Sequence, residues 1–506
     1  MTIAGITTGE MLTIGVVGAG TMGRGIVQWA AQAGHTVKLF DMSPGATEAA
    51  IKSIRQDLEK LAGRGKIEPT AIDTICGRIQ PLAQLEDFAP CHLVVEAIVE
   101  DLRVKIDLFQ RLEAIVSETC VLGTNTSSLS VAAIASGGKH PARFAGLHFF
   151  NPVPVMKIVE IISAPATDAG VVEHLATLCR QSGHTPVVAR DMPGFIINHA
   201  GRAFGPEALR IVAEGTTSPE TVDLIMREGA GFRMGPFQLF DLIGLDVSER
   251  VMNSIYNQFL QEPRFRPVAL VAQRVAAGLL GRKSGRGFYD YTKPPEAVEP
   301  KRLTSCPVRV WISQDEPDAA HALRQILAEG PCLLDEGDAP GADSLILVTP
   351  FGADATTTAI AQRLDPRRTV AVDMLFPAAR RLTIMGSPVV DKDYLSHAKA
   401  ALEVSGRSVS TIDDSPGFVA QRIVSQIVSI GSDIAQQRIA SPSDIDLAVR
   451  MGLGYPHGPL ELGDLVGPRK VMTILRGLQA FYSDPCYRPS AWLHRRALLD
   501  VSLRHV

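Results

Sequence analysis

The sequence predicts an α/β domain with a parallel sheet, an all-helical domain after it, a degenerate second α/β domain, and a second copy of the helical domain. Three observations predict this. A glycine-spaced turn joins a strand to a helix near the start. Apolar runs of parallel-strand type alternate with helical patterns up to about residue 190. Residues from Asp191 onward recur, without a gap, 223 positions later, as in the pair Asp191 and Asp414.

Residues 1 to 10 read as a short lead-in. Ile14 to Val17 then suits a buried strand, and Gly18, Gly20 and Gly23 supply G-x-G-x-x-G directly after it. Gly18 allows the tight turn, Gly20 admits a pyrophosphate against the backbone, and Gly23 lets the helix lie close to the sheet. The positive end of that helix faces the phosphates. A second strand, Thr36 to Phe40, ends in Asp41, whose carboxylate is placed for an adenosine ribose hydroxyl. A 2′-phosphate would meet a like charge there, so NAD is expected rather than NADP. With strand, turn, helix and acidic residue in order, the domain is Rossmann-like.

The turn Ser43-Pro44-Gly45 leads to a helical pattern from about Thr47 to Arg64, with Ile51, Ile54, Leu58 and Leu61 on one face. Its basic residues Lys52, Lys60 and Arg64 read as a solvated face. The run His92 to Ala97 ends in acidic Glu96 and Glu100, at the kind of strand end that forms a ligand crevice. A helix over Leu102 to Ile115 follows, and a strand from Cys120 to Gly123 delivers Asn125, Thr126, Ser127 and Ser128 to the same edge. Arg143 to Ile162 places His148 and Asn151 after one short strand and Glu160 at the far end of another. A histidine and a carboxylate among apolar residues are costly to bury unless paired, so the two are expected to satisfy each other. The pairing reads equally as structural or catalytic.

Pro193 and Gly194 end the first domain. Helical patterns over Ile196 to Glu214, Pro219 to Gly229 and Pro236 to Phe259 predict the helical domain, and Gly281 to Tyr291 is a glycine-rich turn without the frame of a phosphate loop. The expected spans are 1–190, 191–291, a linker at 292–301, 302–410 and 411–506. The 302–410 stretch has lost its ligand equipment. No glycine fingerprint follows its first strand, Asp373 stands where His148 would be, Met385 stands near the place of Glu160, and Gln421 replaces Asn198. One working site per chain is the consequence.

Composition narrows the partners. A net charge of −4 over 506 residues gives neither a nucleic-acid footprint nor a polybasic membrane arm. Seven cysteines without C-x-x-C spacing suit a reducing cytoplasm and argue against a metal site or a disulfide framework. No signal-type or membrane-spanning segment is read.

With these residues assembled, the chain resembles the 3-hydroxyacyl-CoA dehydrogenase family over nearly its whole length, most strongly over 12–291. The stretches VGAGTMGRGI, VVEAIVEDLRVK, TNTSSL, GLHFFNPVPVMKIVEI, MPGFIINH and SGRGFYDY are similar to that family's motifs in the same order. The longer arrangement is similar to bacterial enzymes of phenylacetate breakdown or 3-hydroxybutyryl-CoA metabolism.

The resemblance implies NAD-dependent oxidation of a 3-hydroxyacyl-CoA to the 3-oxoacyl-CoA. His148 is then the general base, Glu160 its orienting carboxylate, and Ser127 and Asn198 hold the reacting oxygen. It implies cofactor contacts from Gly18, Gly20, Gly23, Asp41, Glu100, Lys105, Ser127 and Asn151, and coenzyme A contacts from Ser53 and Lys60. The site is expected between the first α/β and first helical domains. The helical copies are expected to pack as a pseudo-dimer within the chain, which is then a monomer or a homodimer. Two alternatives stay open: a 3-hydroxyacyl-CoA dehydrogenase working mainly in reverse, in the acetoacetyl-CoA reductase direction, and an NAD-binding regulatory protein with weak turnover.

Overall fold

The structure, a computed structural model, describes residues 11–293, 309–403 and 406–506. The expected lead-in and most of the expected linker lie outside the described residues. The chain divides into two compact units, Met1–His199 with Gln437–Leu453, and Ala200–Gln436 with Gly454–Val506.

The first unit is built on eight strands: β1 (Thr13–Val17), β2 (Thr36–Phe40), β3 (Ile79–Pro81), β4 (Leu93–Glu96), β5 (Val121–Thr124), β6 (Phe144–Phe149), β7 (Ile158–Ser163) and β8 (Thr185–Arg190). Their order is β3-β2-β1-β4-β5-β6-β7-β8. Every pairing is parallel except β6 with β7, which runs antiparallel and sets His148 directly across from Glu160. Central strands β4, β5 and β6 are buried along their whole length, as expected where both faces of a sheet are covered. The helices Thr21–Gln32 and Ala46–Gly63 cover one region of the sheet through Ile26, Val27, Ala30, Ile54 and Leu58, all fully buried. Together with strand residues such as Ile14, Val37 and Leu147 they form one apolar cluster.

The helix Pro442–Leu453 belongs to this unit although its sequence lies in the second helical copy. It is held at the sheet edge where Arg190 N donates to Ile439 O at 2.8 Å, and Gly452 leaves room for Ile197.

The second unit holds a six-stranded sheet: β9 (Arg309–Ile312), β10 (Leu333–Leu334), β11 (Leu345–Val348), β12 (Thr369–Val372), β13 (Arg381–Gly386) and β14 (Ser408–Ile412). Its order is β10-β9-β11-β12-β13-β14, again with one antiparallel pair, β12 with β13. The short helix after β11 begins with Ala355 N and Thr356 N donating to the Asp414 carboxylate. In the first unit Val131 N and Ala132 N donate to Asp191 in the same way. That correspondence matches β11 to β5, so among the described residues the second sheet lacks a counterpart of β4 and of the helix Leu102–Ile115 that follows it.

The crevice of the second sheet is filled by its own chain. Gln421 Nε2 donates to Asp373 Oδ1 and to Pro350 O at 3.0 Å each, and its Oε1 accepts from Gly352 N. Burial pushes the Asp373 carboxyl up to about 6, although the bonds from Gln421 and Leu375 N pull the other way. The helix Pro468–Tyr482 lies so close that a Cβ on Gly477 would sit 2.5 Å from Gly352 O. Asp373 bonds through its backbone to Thr383, while Met385 pairs with Ala371, so these two residues do not face each other as His148 and Glu160 do.

Two sequence expectations about helices are revised. The pattern Pro236 to Phe259 forms two helices, Pro236–Ile243 and Leu245–Gln258, because Gly244 takes φ +101° between them. The pattern from Ile196 divides around Gly201 into Ile197–Ala200 and Phe204–Ala213. The glycine-rich turn before Tyr291 is structural: the Asp241 carboxylate accepts from Phe288 N and Tyr289 N at 2.9 Å, and a Cβ on Gly287 would sit 2.0 Å from that carboxylate.

Within the same unit the fully buried Arg422 guanidinium donates to Glu207 at 2.8 Å, to Glu214 at 2.6 Å and 3.0 Å, and to the hydroxyls of Tyr482 and Tyr487. A second ion pair, Arg264 with Asp433, joins the same two stretches of sequence. Thr216 O accepts from Asp413 N at 3.0 Å, which is the Arg190 to Ile439 bond repeated with the two copies exchanged. Arg381 of β13 pairs with Glu228 at 2.9 Å, as the helical copy of the first half lies against the sheet of the second.

Candidate active site

The glycine fingerprint folds as a cradle. Gly18 takes φ +106°, and a Cβ there would sit 2.5 Å from Ala97 O, so the turn and the approach of β4 both require glycine. A Cβ on Gly23 would fall 1.8 Å from Gly18 O, which fixes how closely the helix Thr21–Gln32 meets the turn. Gly20 differs from both: nothing lies within 4 Å of its Cβ direction, and it borders a cavity of about 820 Å³. Asp41 borders the same cavity, with Oδ2 accepting from Ala19 N at 2.7 Å and Oδ1 from Ser43 N at 2.8 Å. The carboxylate is locked by two backbone donors and keeps lone pairs for a ribose hydroxyl. Exposed Met42 and Val99 flank the same space with apolar surface suited to an adenine ring. A cavity of this size, an open glycine at a helix N-terminus and a fixed carboxylate fit a dinucleotide.

Beside it, a charge network shapes the loop after β5. Lys105 is fully buried, with Nζ 2.5 Å from Glu96 and 3.2 Å from Glu100. Glu96 also accepts from Thr124 Oγ1 and Ile98 N at 2.7 Å each. Glu100 accepts from Thr126 Oγ1, Ser127 N, Ser128 N and Ser128 Oγ, drawing the loop around its carboxylate. Burial raises the Glu100 carboxyl, but Lys105 and these hydrogen bonds outweigh it and hold the group below its ordinary range. Lys105, expected as a cofactor contact, is thus engaged on both sides by carboxylates, and its influence on that loop runs through Glu100.

His148 and Glu160 are both buried and joined at 2.7 Å between Nδ1 and Oε2. The other Glu160 oxygen accepts from Ile196 N and Ile197 N, each at 2.9 Å. One carboxylate therefore orients the imidazole and holds the start of the Ile197–Ala200 turn. Phe195, at φ +50°, lies with its ring 5.7 Å from that of His148, and Phe150 lies at 4.4 Å. Asn198 follows directly, its Nδ2 3.4 Å from Ser127 O. Asn125, expected at the ligand edge but given no role there, accepts from Phe149 N at 2.8 Å and ties the end of β6 to the loop bearing Ser127.

Of the sequence-derived residues, the structure groups Gly18, Gly20 and Asp41 at the large cavity, with Gly23 beneath its turn, and His148 with Glu160, and Ser127 with Asn198 and Glu100. Asn151 lines a separate cavity with Lys60, while the Ser53 hydroxyl accepts from Arg24. Among the described residues no cluster of three or more metal-type ligands occurs, and no helix is long and apolar enough to cross a membrane.

A dinucleotide cleft and a buried histidine–carboxylate pair on one sheet define an NAD-dependent dehydrogenase. The chain belongs to the 3-hydroxyacyl-CoA dehydrogenase family: residues 13–192 match its NAD binding domain, and residues 194–291 and 417–501 both match its C-terminal domain. It is 38% identical to the 3-hydroxyadipyl-CoA dehydrogenase of Escherichia coli K12, over 96% of this chain and 98% of the relative. It is 42% identical to a probable 3-hydroxybutyryl-CoA dehydrogenase of Deinococcus radiodurans, over 55% of this chain and all of the relative. A crystal structure of 3-hydroxybutyryl-CoA dehydrogenase from Escherichia coli K12 superposes with TM-score 0.87 at 37% identity, covering 97% of this chain and 99% of that one.

Because Asp41 borders the cleft with a carboxylate fixed by two backbone bonds, Asp41→Ala is expected to narrow the preference for NAD over NADP. Steady-state kcat/KM for both cofactors checks this. A parent enzyme that used them equally would contradict the ribose role.

Proposed function

We propose that the chain oxidises the 3-hydroxyl of an (S)-3-hydroxyacyl-CoA to the ketone, with His148 as general base. The observation that carries this reading is the His148–Glu160 pair beside Ser127 and Asn198. When bound, NAD accepts the hydride from C3. His148 takes the hydroxyl proton on Nε2, the ring nitrogen left free when Nδ1–H points to Glu160, and that carboxylate stabilises the imidazolium that results. Ser127 and Asn198 donate to the 3-oxygen and hold C3 in place. Phe150 and Phe195 keep water from the imidazole. Glu100 and Lys105 act as the support of the Ser127 loop, and the glycine turn with Asp41 holds the dinucleotide.

The full-length relatives bear the names 3-hydroxyadipyl-CoA and 3-hydroxybutyryl-CoA dehydrogenase, so short 3-hydroxyacyl thioesters, with or without a distal carboxylate, are the substrates we put forward. The pathway is then breakdown of phenylacetate or fatty acids, in the cytoplasm. Following NADH formation with 3-hydroxybutyryl-, 3-hydroxyadipyl- and longer 3-hydroxyacyl-CoA tests the reading. His148→Gln should lower kcat by about 10²-fold or more while NAD binding persists. Near-normal turnover of that variant would sink the assignment.

We further infer that the two helical copies, 191–291 and 411–506, pair as the subunits of an isologous dimer would. The Arg422–Glu207 and Arg264–Asp433 pairs and the exchanged 190–439 and 413–216 backbone bonds support this. A chain ended after Lys293 loses Arg422, one of the two cations on Glu207, keeps Arg210, and uncovers an apolar helix face. It should dimerise or aggregate in sedimentation experiments. A soluble, fully active monomer would contradict the pairing.

A further inference from the structure

Ser127 and His148 belong to different strands. Ser127 stands on the loop after β5, and His148 stands near the end of β6. The ladder between β5 and β6 stops short of both, since its last pair is Thr124 with Gly146. From there β6 runs on to Phe149, paired with β7, while the other chain turns into the loop. Beyond the ladder the two are tied by the side chain of Asn125, whose Oδ1 accepts from Phe149 N at 2.8 Å.

Asn125 is anchored on both sides. Its own N–H donates to Glu96 O at 2.8 Å, so its main chain is held to β4 while its side chain grips β6. The donor on β6 is a backbone N–H, so the side-chain amide must present its oxygen to it. The peptide that is gripped is the one directly after His148. Glu100 holds the same loop from within, accepting from Thr126 Oγ1, Ser127 N and Ser128 N. Glu100 thus sets the shape of the loop, and Asn125 sets its distance from the strand that bears His148.

The second unit shows the same position without the tie. β11 corresponds to β5, and the residue after it is Thr349 in place of Asn125. The Thr349 hydroxyl is buried without a hydrogen-bond partner, so it grips nothing on the neighbouring strand. The strut is lost in the copy where Asp373 and Met385 stand in place of His148 and Glu160. A strut needed only to hold the sheet together would be of equal use in both.

We propose that Asn125 is a positioning residue for the reaction: its bond to Phe149 N fixes the separation between His148, which takes the proton, and Ser127, which holds the 3-oxygen. This rests on the dehydrogenase reading above. The substrate hydroxyl must meet both groups at once, and a misplacement of about 1 Å can cost about 10²-fold in rate. Asn125 acts through these two residues and touches no reacting atom.

The test compares the full chain with Asn125→Leu, Asn125→Thr and Asn125→Asp in steady-state kinetics on NAD and 3-hydroxybutyryl-CoA, and titrates each with NAD by calorimetry. Leucine keeps the volume without the acceptor, and threonine is the side chain that the second unit already accommodates after β11. Both should lower kcat by about 10²-fold, with KM for the thioester and affinity for NAD within about threefold of the parent. Asn125→Asp, which restores an oxygen for Phe149 N, should be about tenfold faster than Asn125→Leu. Near-parent kcat in the leucine and threonine variants would overturn the proposal and leave the dehydrogenase reading intact. A loss confined to NAD affinity or to KM would make Asn125 a ligand contact and also overturn it. So would an aspartate variant no faster than the leucine one, since the acceptor would then count for nothing. A parent that forms no NADH from any 3-hydroxyacyl-CoA thioester would overturn the dehydrogenase reading and the proposal with it.

Discussion

The buried carboxylate of Glu160 carries two loads at once. One oxygen takes the imidazole of His148, and the other takes the backbone N–H groups of Ile196 and Ile197. A carboxylate with no exposed surface is costly unless every lone pair direction is used, and here three donors share it. That arrangement ties the sheet to the first turn of the following helical segment. It fixes the ring of Phe195 near His148 and brings Asn198 to the loop of Ser127, so a change at Glu160 disturbs geometry as well as charge.

The second half of the chain shows what happens when that constraint is released. Met385 stands in place of a carboxylate, its sulfur accepting from Ser415 N at 3.4 Å, and Asp373 turns to Gln421. Among the described residues there is no β4 counterpart and no equivalent of the Glu96–Lys105–Glu100 network at the crevice. The helix Pro468–Tyr482 closes over the glycine at 352 instead. What persists is the scaffold: the Asp191 and Asp414 helix caps, and the left-handed Phe195 and Phe418, both at φ 50°. Arg422, where the first copy has His199, is the centre of a buried ion network.

Much of this was legible because local chemistry announces itself. A glycine turn between strand and helix, an acid at the next strand end, and a gapless repeat need no tertiary information. Antiparallel β6 and β7 made the His148 and Glu160 pairing readable too, since the strands are short and close in sequence. Long-range partners were not legible. Nothing in the spacing shows that Glu160 also serves residues 36 and 37 positions away, that Lys105 is sealed between two carboxylates, or that Arg24 leans on Ser53. The break at Gly244 has a local cause, since glycine takes a positive φ readily, but the apolar period runs through it and masks the stop. The helix Pro442–Leu453, which joins the first compact unit, could not be placed by sequence order at all.

The central claim is that His148 and Glu160 act as one unit in proton transfer, and a double-mutant cycle on kcat addresses it most directly. His148→Gln, Glu160→Gln and the double variant are compared under saturating NAD and substrate. If the carboxylate works through the imidazole, adding Glu160→Gln to His148→Gln costs much less than Glu160→Gln costs alone, so the two losses do not multiply. Losses that multiply in full would show two independent contributions and contradict the account.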